Sequence, residues 1–222
     1  MNSIYQDEAR MRAAVEGGQH RDIIGGMWDE IGALQFDWLV SRGMRPEHRL
    51  LDIGCGAGRL AVRAAPYLNP GNYFGQDRSE ALIDAARAEI EAVGCANSIG
   101  ANTFLVTEDF KAPGETNFDF LLAQSVFTHL PLDMFGLCLD RVASRAAKGA
   151  RFYATFFTAP EGVASFQHER GDVVTYADKD PFHFSVRAII ALATKKRWRA
   201  NFIGEWGHPR DQQMFEFGGM DP

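Results

Sequence analysis

The chain has 222 residues, 46% hydrophobic and 23% charged, enough to bury a substantial core in one domain, with 17 phenylalanines to help fill it. Its formal charge is −6 and the one basic cluster, Lys195-Lys196-Arg197-Trp198-Arg199, reads as a solvated helix end, so a broad electrostatic footprint for nucleic acid is lacking. Met1 to Glu8 carries neither a basic region nor an apolar core, and no window approaches a membrane span. Cys55, Cys95 and Cys138 lie far apart and suggest neither a disulfide framework nor a zinc site. The expectation is a cytoplasmic protein, monomer or homodimer, with no membrane, metal or nucleic-acid partner.

In chain order, the first 27 residues are polar and broken by Gly17-Gly18 and Gly25-Gly26; Trp28 to Val40 then restores an amphipathic pattern through Ile31, Leu34, Phe36, Leu39 and Val40. Leu50-Leu51-Asp52-Ile53 reads as a buried parallel strand that breaks at Gly54-Cys55-Gly56-Ala57-Gly58, followed by helical character from Ala57 to Leu68. Glycines at 54, 56 and 58 permit a sharp turn and the approach of a ligand to main-chain N–H groups at the helix start. A second strand, Asn72 to Asp77, ends in a carboxylate suited to both ribose hydroxyls of a nucleotide cofactor. Ser79 then caps a helix whose apolar face is Leu82, Ile83, Ala86 and Ile90.

Further strands are expected at Thr103–Thr107, Phe118–Gln124 and Ala150–Phe157, the last following a helix whose end is marked by Lys148-Gly149. Thr158 to Phe184 is longer than the usual connection in an α/β unit, and such a loop at strand C-termini should overhang a ligand. It offers His168, Glu169, Arg170, Asp172, Tyr176, Asp178 and His183, most of them readable as solvated side chains. After a helix from Ser185 to Thr194, strands at Arg199–Gly204 and Gln212–Phe217 flank the turn Glu205–Asp211 as a hairpin, in which Trp206, His208 and Arg210 are candidate pocket residues.

The glycine spacing separates two cofactors. A dinucleotide fingerprint G-x-G-x-x-G would need glycine at position 59, where Arg59 stands; the pattern here is G-x-G-x-G. Leu50 to Arg59 resembles the first motif of class I S-adenosylmethionine (SAM)-dependent methyltransferases, and the order of later segments, with His129-Leu130-Pro131 after the fourth strand and a terminal hairpin, is similar to that family from about Asp29 to Phe157. The resemblance implies an α/β fold: a single-domain, Rossmann-like, seven-stranded, mostly parallel sheet with helices on both faces and a C-terminal antiparallel hairpin. It implies one methyltransferase domain over 1–222, with a helical cap at 1–45, a SAM-binding core at 46–157, an acceptor-covering insertion at 158–184 and a C-terminal helix and hairpin at 185–222.

The resemblance also implies SAM as cofactor and S-adenosylhomocysteine as product, held by Asp52, Gly54, Cys55, Gly56, Gly58, Asp77, Arg78, Asp109, Phe110 and Gln124, with Asp109 and Phe110 at the adenine. Methyl transfer needs alignment of acceptor and methyl and exclusion of water. For a hydroxyl acceptor a general base helps, and His129, after the fourth strand, is the leading candidate, with Gln124 orienting acceptor or cofactor. Thr128-His129-Leu130-Pro131 is equally readable as a cap and helix entry. Ala123-Gln124-Ser125-Val126 lacks the Asp/Asn-Pro-Pro-Tyr/Phe sequence of amino-methylating DNA enzymes. The expected function is therefore methyl transfer to a small molecule, with an oxygen acceptor ahead of nitrogen. A non-catalytic SAM-binding protein and an NAD(P)-dependent oxidoreductase are the alternatives from other classes.

Overall fold

The computed structural model describes residues 7–219. The expectations that touch residues 1–6 and 220–222 lie outside the described residues. One sheet forms the centre, built from β1 (Leu50–Ile53), β2 (Tyr73–Asp77), β3 (Phe104–Val106), β4 (Phe118–Ala123), β5 (Ala146–Thr158), β9 (Trp198–Gly204) and β10 (Gln213–Gly219) in the order β3-β2-β1-β4-β5-β10-β9. All pairs from β3 to β5 are parallel, and β10 lies antiparallel between β5 and β9. The insertion supplies a small hairpin, β6 (Ser165–Gln167) with β7 (Val174–Tyr176), and a two-residue β8 (His183–Phe184) that pairs with β5 as an eighth strand.

The strands alternate between two covered faces, as the period of two demands. Leu51, Leu121, Phe152 and Phe215 point to one side, against α6 (Leu132–Ala143) and α7 (Val186–Lys195) through Phe135, Leu139 and Ile189. Leu50, Leu122, Tyr153 and Met214 point to the other, against α3 (Trp28–Ser41), α4 (Ala61–Tyr67) and α5 (Glu80–Ala92) through Leu39, Ala64, Ile83 and Ile90. Helices therefore cover both faces. Phe127, Phe135, Phe152, Phe156, Phe215 and Phe217 form one contiguous aromatic cluster, each ring fully buried and contributing roughly 1.5–3 kcal/mol over an exposed position.

Two boundaries differ from expectation. The helix after the glycine turn begins at Ala61, not Ala57, because Gly58 has φ +86 and residues 56–60 are occupied by turns. The helix before β5 ends at Ala143, and Lys148-Gly149 lies inside the strand: pairing slips from Phe118↔Ala146 to Phe120↔Arg151, with Gly149 at φ +80 within the slip. Lys-Gly here marks a bulge rather than a helix stop. Upstream, α1 (Glu8–Glu16) and the short α2 (His20–Ile23) pack over α5, with Met11, Ala81, Leu82 and Ala85 forming a satellite core.

Candidate active site

Strand order reverses between β1 and β4, and a crevice opens beyond their carboxyl ends. The turn leaving β1 is braced by β2. Gly54 N and Cys55 N donate to Gln76 O at 2.8 and 3.0 Å, and Gly56 N donates to Asp77 Oδ2 at 2.9 Å. Those N–H groups are thus already satisfied, and what the turn presents to a ligand is its bare Cα surface. A Cβ on Gly54 would lie 2.5 Å from Val126 Cγ2, and one on Gly56 would lie 3.3 Å from Ile24 Cγ2. Gly58 answers to a different constraint: its Cβ would meet Ala86 at 3.0 Å, so it permits the approach of α5 and does not line the crevice.

The crevice encloses about 470 Å³. Its walls carry Asp52, Gly54, Cys55, Gly56, Asp77, Arg78, Phe110, Gln124 and His129 from the expected set, together with Ile24, Gln35, Arg59, Leu60, Gln76, Thr107, Glu108, Ser125, Val126, Leu130 and Met134. Asp52 is buried, accepts from Tyr73 Oη at 2.8 Å, and is pushed up to about 7 by burial, with Asp77 adding repulsion. Burial also holds Asp77 above the usual carboxylate range, against the opposing hydrogen bonds from Ser79 N and Gly56 N. The Cys55 thiol is raised by burial first and by these two acids second, so it stays protonated and is no nucleophile. Arg78 donates to Glu108 at 2.7 Å beside the crevice.

Asp109 is not on the crevice wall. Its carboxylate accepts from Thr107 Oγ1 at 2.7 Å and from Arg141 at 3.0 Å, with Lys111 at 3.3 Å, and these partners hold it below the usual carboxylate range. Phe110, at φ +60, does reach the wall.

On the β4 side the structure gathers a polar network that sequence reading found only in part. Gln35 Nε2 donates to Gln124 Oε1 at 2.8 Å, the Gln124 amide faces His208 Nε2 at 3.2 Å, and Gln212 Oε1 accepts from Thr155 Oγ1 at 2.8 Å. Ser125 N donates to Thr155 Oγ1 at 2.9 Å. Gln35 Oε1 and Gln76 Oε1 are buried without a protein partner. Gln35 carried a legible signal: it occupies the buried stripe Ile31, Gln35, Leu39 of α3, where an amide needs a reason. Gln212, Thr155 and Ser125 carried none, since their meeting depends on β10 inserting beside β5.

His129 lines the crevice, and its Nδ1 lies 2.6 Å from Asp180 Oδ1. Asp180 was missed by sequence reading. The insertion's own histidines turn inward: His168 Nε2 and His183 Nδ1 both bond Thr175 Oγ1, at 2.9 and 2.8 Å, beneath the β6–β7 hairpin. No residue from 158 to 184 is on the crevice wall. The N-terminal segment does reach it, through Ile24 and Gln35. Arg59 Nη2 donates to Ile24 O at 2.7 Å, Arg210 Nη2 to Gly25 O at 2.9 Å, and Arg21 forms a two-pronged pair with Glu89 at 2.7 Å, joined by His20 at 2.6 Å.

Among the described residues no helix is long and apolar enough to cross a membrane, and no group of three or more His, Cys, Asp or Glu is placed to hold a metal ion.

Residues 51–152 match a family model described as "Methyltransferase domain". An indolepyruvate C-methyltransferase from Streptomyces griseus is 31% identical over 165 residues, covering 71% of this chain and 48% of that protein. The chain thus spans about half the length of the curated relative it matches. Magnesium protoporphyrin IX methyltransferase from Synechocystis, solved with bound SAH, superposes with TM-score 0.64 at 17% identity, covering 96% of this chain and 99% of the other. A SAM-dependent methyltransferase from Clostridium acetobutylicum gives TM-score 0.64 at 10% identity over 98% and 99% of the two chains. With the glycine turn, the acid ending β2 and the antiparallel β10 all in the expected order, residues 51–152 are a methyltransferase domain, and the chain is similar in sequence and fold to SAM-dependent methyltransferases.

Proposed function

We propose that this chain transfers the methyl group of SAM to an oxygen of a small-molecule acceptor, with His129 as general base. The observation that carries this reading is that His129 shares one crevice with the bare glycine turn and Asp77. The residues fit the cofactor: a nucleoside needs the side-chain-free surface at Gly54 and Gly56, and the unpartnered Gln35 Oε1 and Gln76 Oε1 are buried acceptors awaiting a donor on a ligand. Gly54, Cys55, Gly56, Asp77, Arg78, Phe110 and Gln124 would hold it, with Asp77 accepting from the ribose hydroxyls and Phe110 against the adenine. Asp52 supports the turn from beneath through Tyr73, Gly58 seats α5, and Asp109 stiffens the loop leading to Phe110. When bound, SAM supplies an electrophilic methyl group on a sulfonium.

The chain's own groups do the rest. His129 takes the proton of the acceptor hydroxyl, a contribution of about 10²–10⁴-fold for a base within hydrogen-bond reach. Leu130, Met134, Val126 and Ile24 keep water from the reacting groups, and Gln124 orients acceptor or cofactor. In this reading residues 1–45 form the cap, 46–157 the cofactor core, 158–184 the insertion that supports the acceptor side, and 185–222 the closing helix and hairpin. The protein works in the cytoplasm as a monomer or homodimer. A carbon acceptor is the second reading, favoured by the C-methyltransferase relative: an enol loses the same proton to the same base and presents carbon as its nucleophile.

The test is methyl transfer from isotopically labelled SAM to indole-3-pyruvate and to a panel of hydroxylated metabolites, with the methylated atom identified by NMR. Transfer that falls at least about tenfold in kcat in His129→Gln, with unchanged SAM affinity, supports the reading. Equal kcat in the variant overturns the base assignment, and absence of SAM binding overturns the whole.

A further inference from the structure

The turn joining β9 to β10, residues 205–211, touches both the N-terminal cap and the insertion. It has a firm base. Trp206 is 6% exposed, its Nε1 donates to Gln212 O at 2.9 Å, its ring meets Trp38 of α3 edge-on, and His208 stacks on it. From this base Arg210 reaches out between two glycines. On one side its Nη2 donates to Gly25 O at 2.9 Å, and a Cβ on Gly25 would lie 3.1 Å from Nη1. On the other its stem lies against Gly171, where a Cβ would meet Arg210 Cγ at 2.8 Å and Arg210 Cα at 3.0 Å. The two glycines have φ +98 and +74, so backbone conformation and close approach alike call for glycine at both places. Beside them Arg170 donates to Glu205 at 3.1 Å, and His168 Nδ1 stands 3.8 Å from Asp211 Oδ2.

Gly25 belongs to the cap, and Gly171 lies at the tip of the β6–β7 hairpin. The cap side leads straight to the crevice, because Ile24 is on the wall and sits against Gly56. The hairpin side does not, since residues 158–184 contribute nothing to that wall. One side chain bridges the two. Loosening either segment removes part of what holds Arg210, and a loosened Arg210 holds the other segment less well. The exposed pair Arg170–Glu205 adds little, whereas the bond from the part-buried guanidinium to a backbone carbonyl is charge-assisted. We infer that Arg210 couples the cap to the insertion, so that a ligand seated in the crevice orders the β6–β7 hairpin without touching it. The ligand half rests on the cofactor site proposed above; the coupling between the two segments does not. Coupling is reciprocal, so a disturbance at Gly171 must reach residues around Gly25 as surely as the reverse.

Hydrogen–deuterium exchange of the whole chain, read by mass spectrometry, tests both halves. Local opening governs amide exchange, so a ratio of rates reports a ratio of opening equilibria. Gly171→Ala sets a Cβ against Arg210 and should speed exchange in residues 20–27 by about fivefold, the lower end of ordinary coupling. Arg210→Met keeps a stem against Gly171 and loses the donor to Gly25 O; in that background Gly171→Ala should leave residues 20–27 unchanged. S-adenosylhomocysteine should slow exchange in residues 165–176 of the wild type by about fivefold, and in Arg210→Met should slow residues 20–27 alone. Unaltered exchange in β4 and β5 shows that each variant is folded, and if Gly171→Ala does not fold, the ligand arm decides. Residues 20–27 indifferent to Gly171→Ala, or a hairpin that answers the ligand equally well without the guanidinium, overturns the inference. A wild-type hairpin that ignores bound S-adenosylhomocysteine overturns it without any variant. Failure of the wild type to bind S-adenosylhomocysteine overturns the cofactor reading instead, and the glycine arm still decides the coupling.

Discussion

Acidification from about pH 7.5 to about pH 5 should remove roughly 2 kcal/mol of stability through His208 alone. The imidazole is 2% exposed, and burial first, then the Arg210 and Arg59 charges, take it from the ordinary 6.5 down to about 3. Protonation would also break the hydrogen bond that Nδ1 accepts from Arg210 N at 3.2 Å. A histidine whose folded value is depressed binds its proton more readily when unfolded. Its neutral form therefore stabilises the fold fully above the unfolded value, and that stabilisation is lost as pH falls from there toward the folded value. Only the stretch from 6.5 down to the lower pH counts, roughly 1.5 units at about 1.4 kcal/mol each. The assay is guanidinium unfolding of wild type and His208→Gln at both pH values. Other titrating groups, including Asp52, which is raised to about 7 and works in the opposite sense, cancel in the double difference. Wild type should lose about 2 kcal/mol more than the variant between the two conditions. Equal losses would refute the claim that a neutral imidazole is buried between two arginines.

Replacing Gly56 by leucine should abolish S-adenosylhomocysteine binding in calorimetry, because the side chain must occupy the crevice beside Ile24. Gly58→Ala should leave binding nearly intact yet lower stability by about 1–3 kcal/mol in thermal melts, from a Cβ 3.0 Å from Ala86 and an unfavourable φ of +86. Asp77→Ala should weaken SAM binding by about 1.5–3 kcal/mol, the scale of hydrogen bonds to a charged group, and normal binding would remove Asp77 from the ribose site. Glu89→Gln should weaken its grip on Arg21 and His20. With half-exposed Arg21 screened by solvent, about 1 kcal/mol is expected, seen as roughly fivefold faster amide exchange across residues 8–26.

Local patterns made the centre of this fold legible. An apolar run ending in alternate glycines, an acid closing the next strand, Ser79 as a cap whose hydroxyl accepts from Leu82 N, and a two-sided hairpin near the C-terminus are all written within a few adjacent residues. What escaped is what tertiary geometry decides. Gly58 reads as a cofactor glycine in sequence, yet its neighbour is Ala86. Lys148-Gly149 looks like a helix stop until a strand pairs across it. Gln35 meets Gln124 because α3 packs on the sheet, Gln212 meets Thr155 because β10 inserts beside β5, and Asp180 meets His129 because the insertion returns to the loop after β4. Asp109 shows the converse: a motif position whose carboxylate is already engaged by Thr107, Lys111 and Arg141.

The antiparallel β10 has a consequence for synthesis. Among the described residues β9 has no strand neighbour other than β10, and β5 meets β9 only through it, so residues 198–204 can join the sheet only once residues 213–219 are present. While the nascent chain is still on the ribosome, the β5 edge, carrying Phe152, Ala154 and Phe156, therefore stays open after the whole cofactor crevice has been translated. An unpaired, aromatic-rich edge is a template for wrong partners. Shielding by a chaperone, or a pause until β10 emerges, would protect this chain more than one whose strands are added in spatial order.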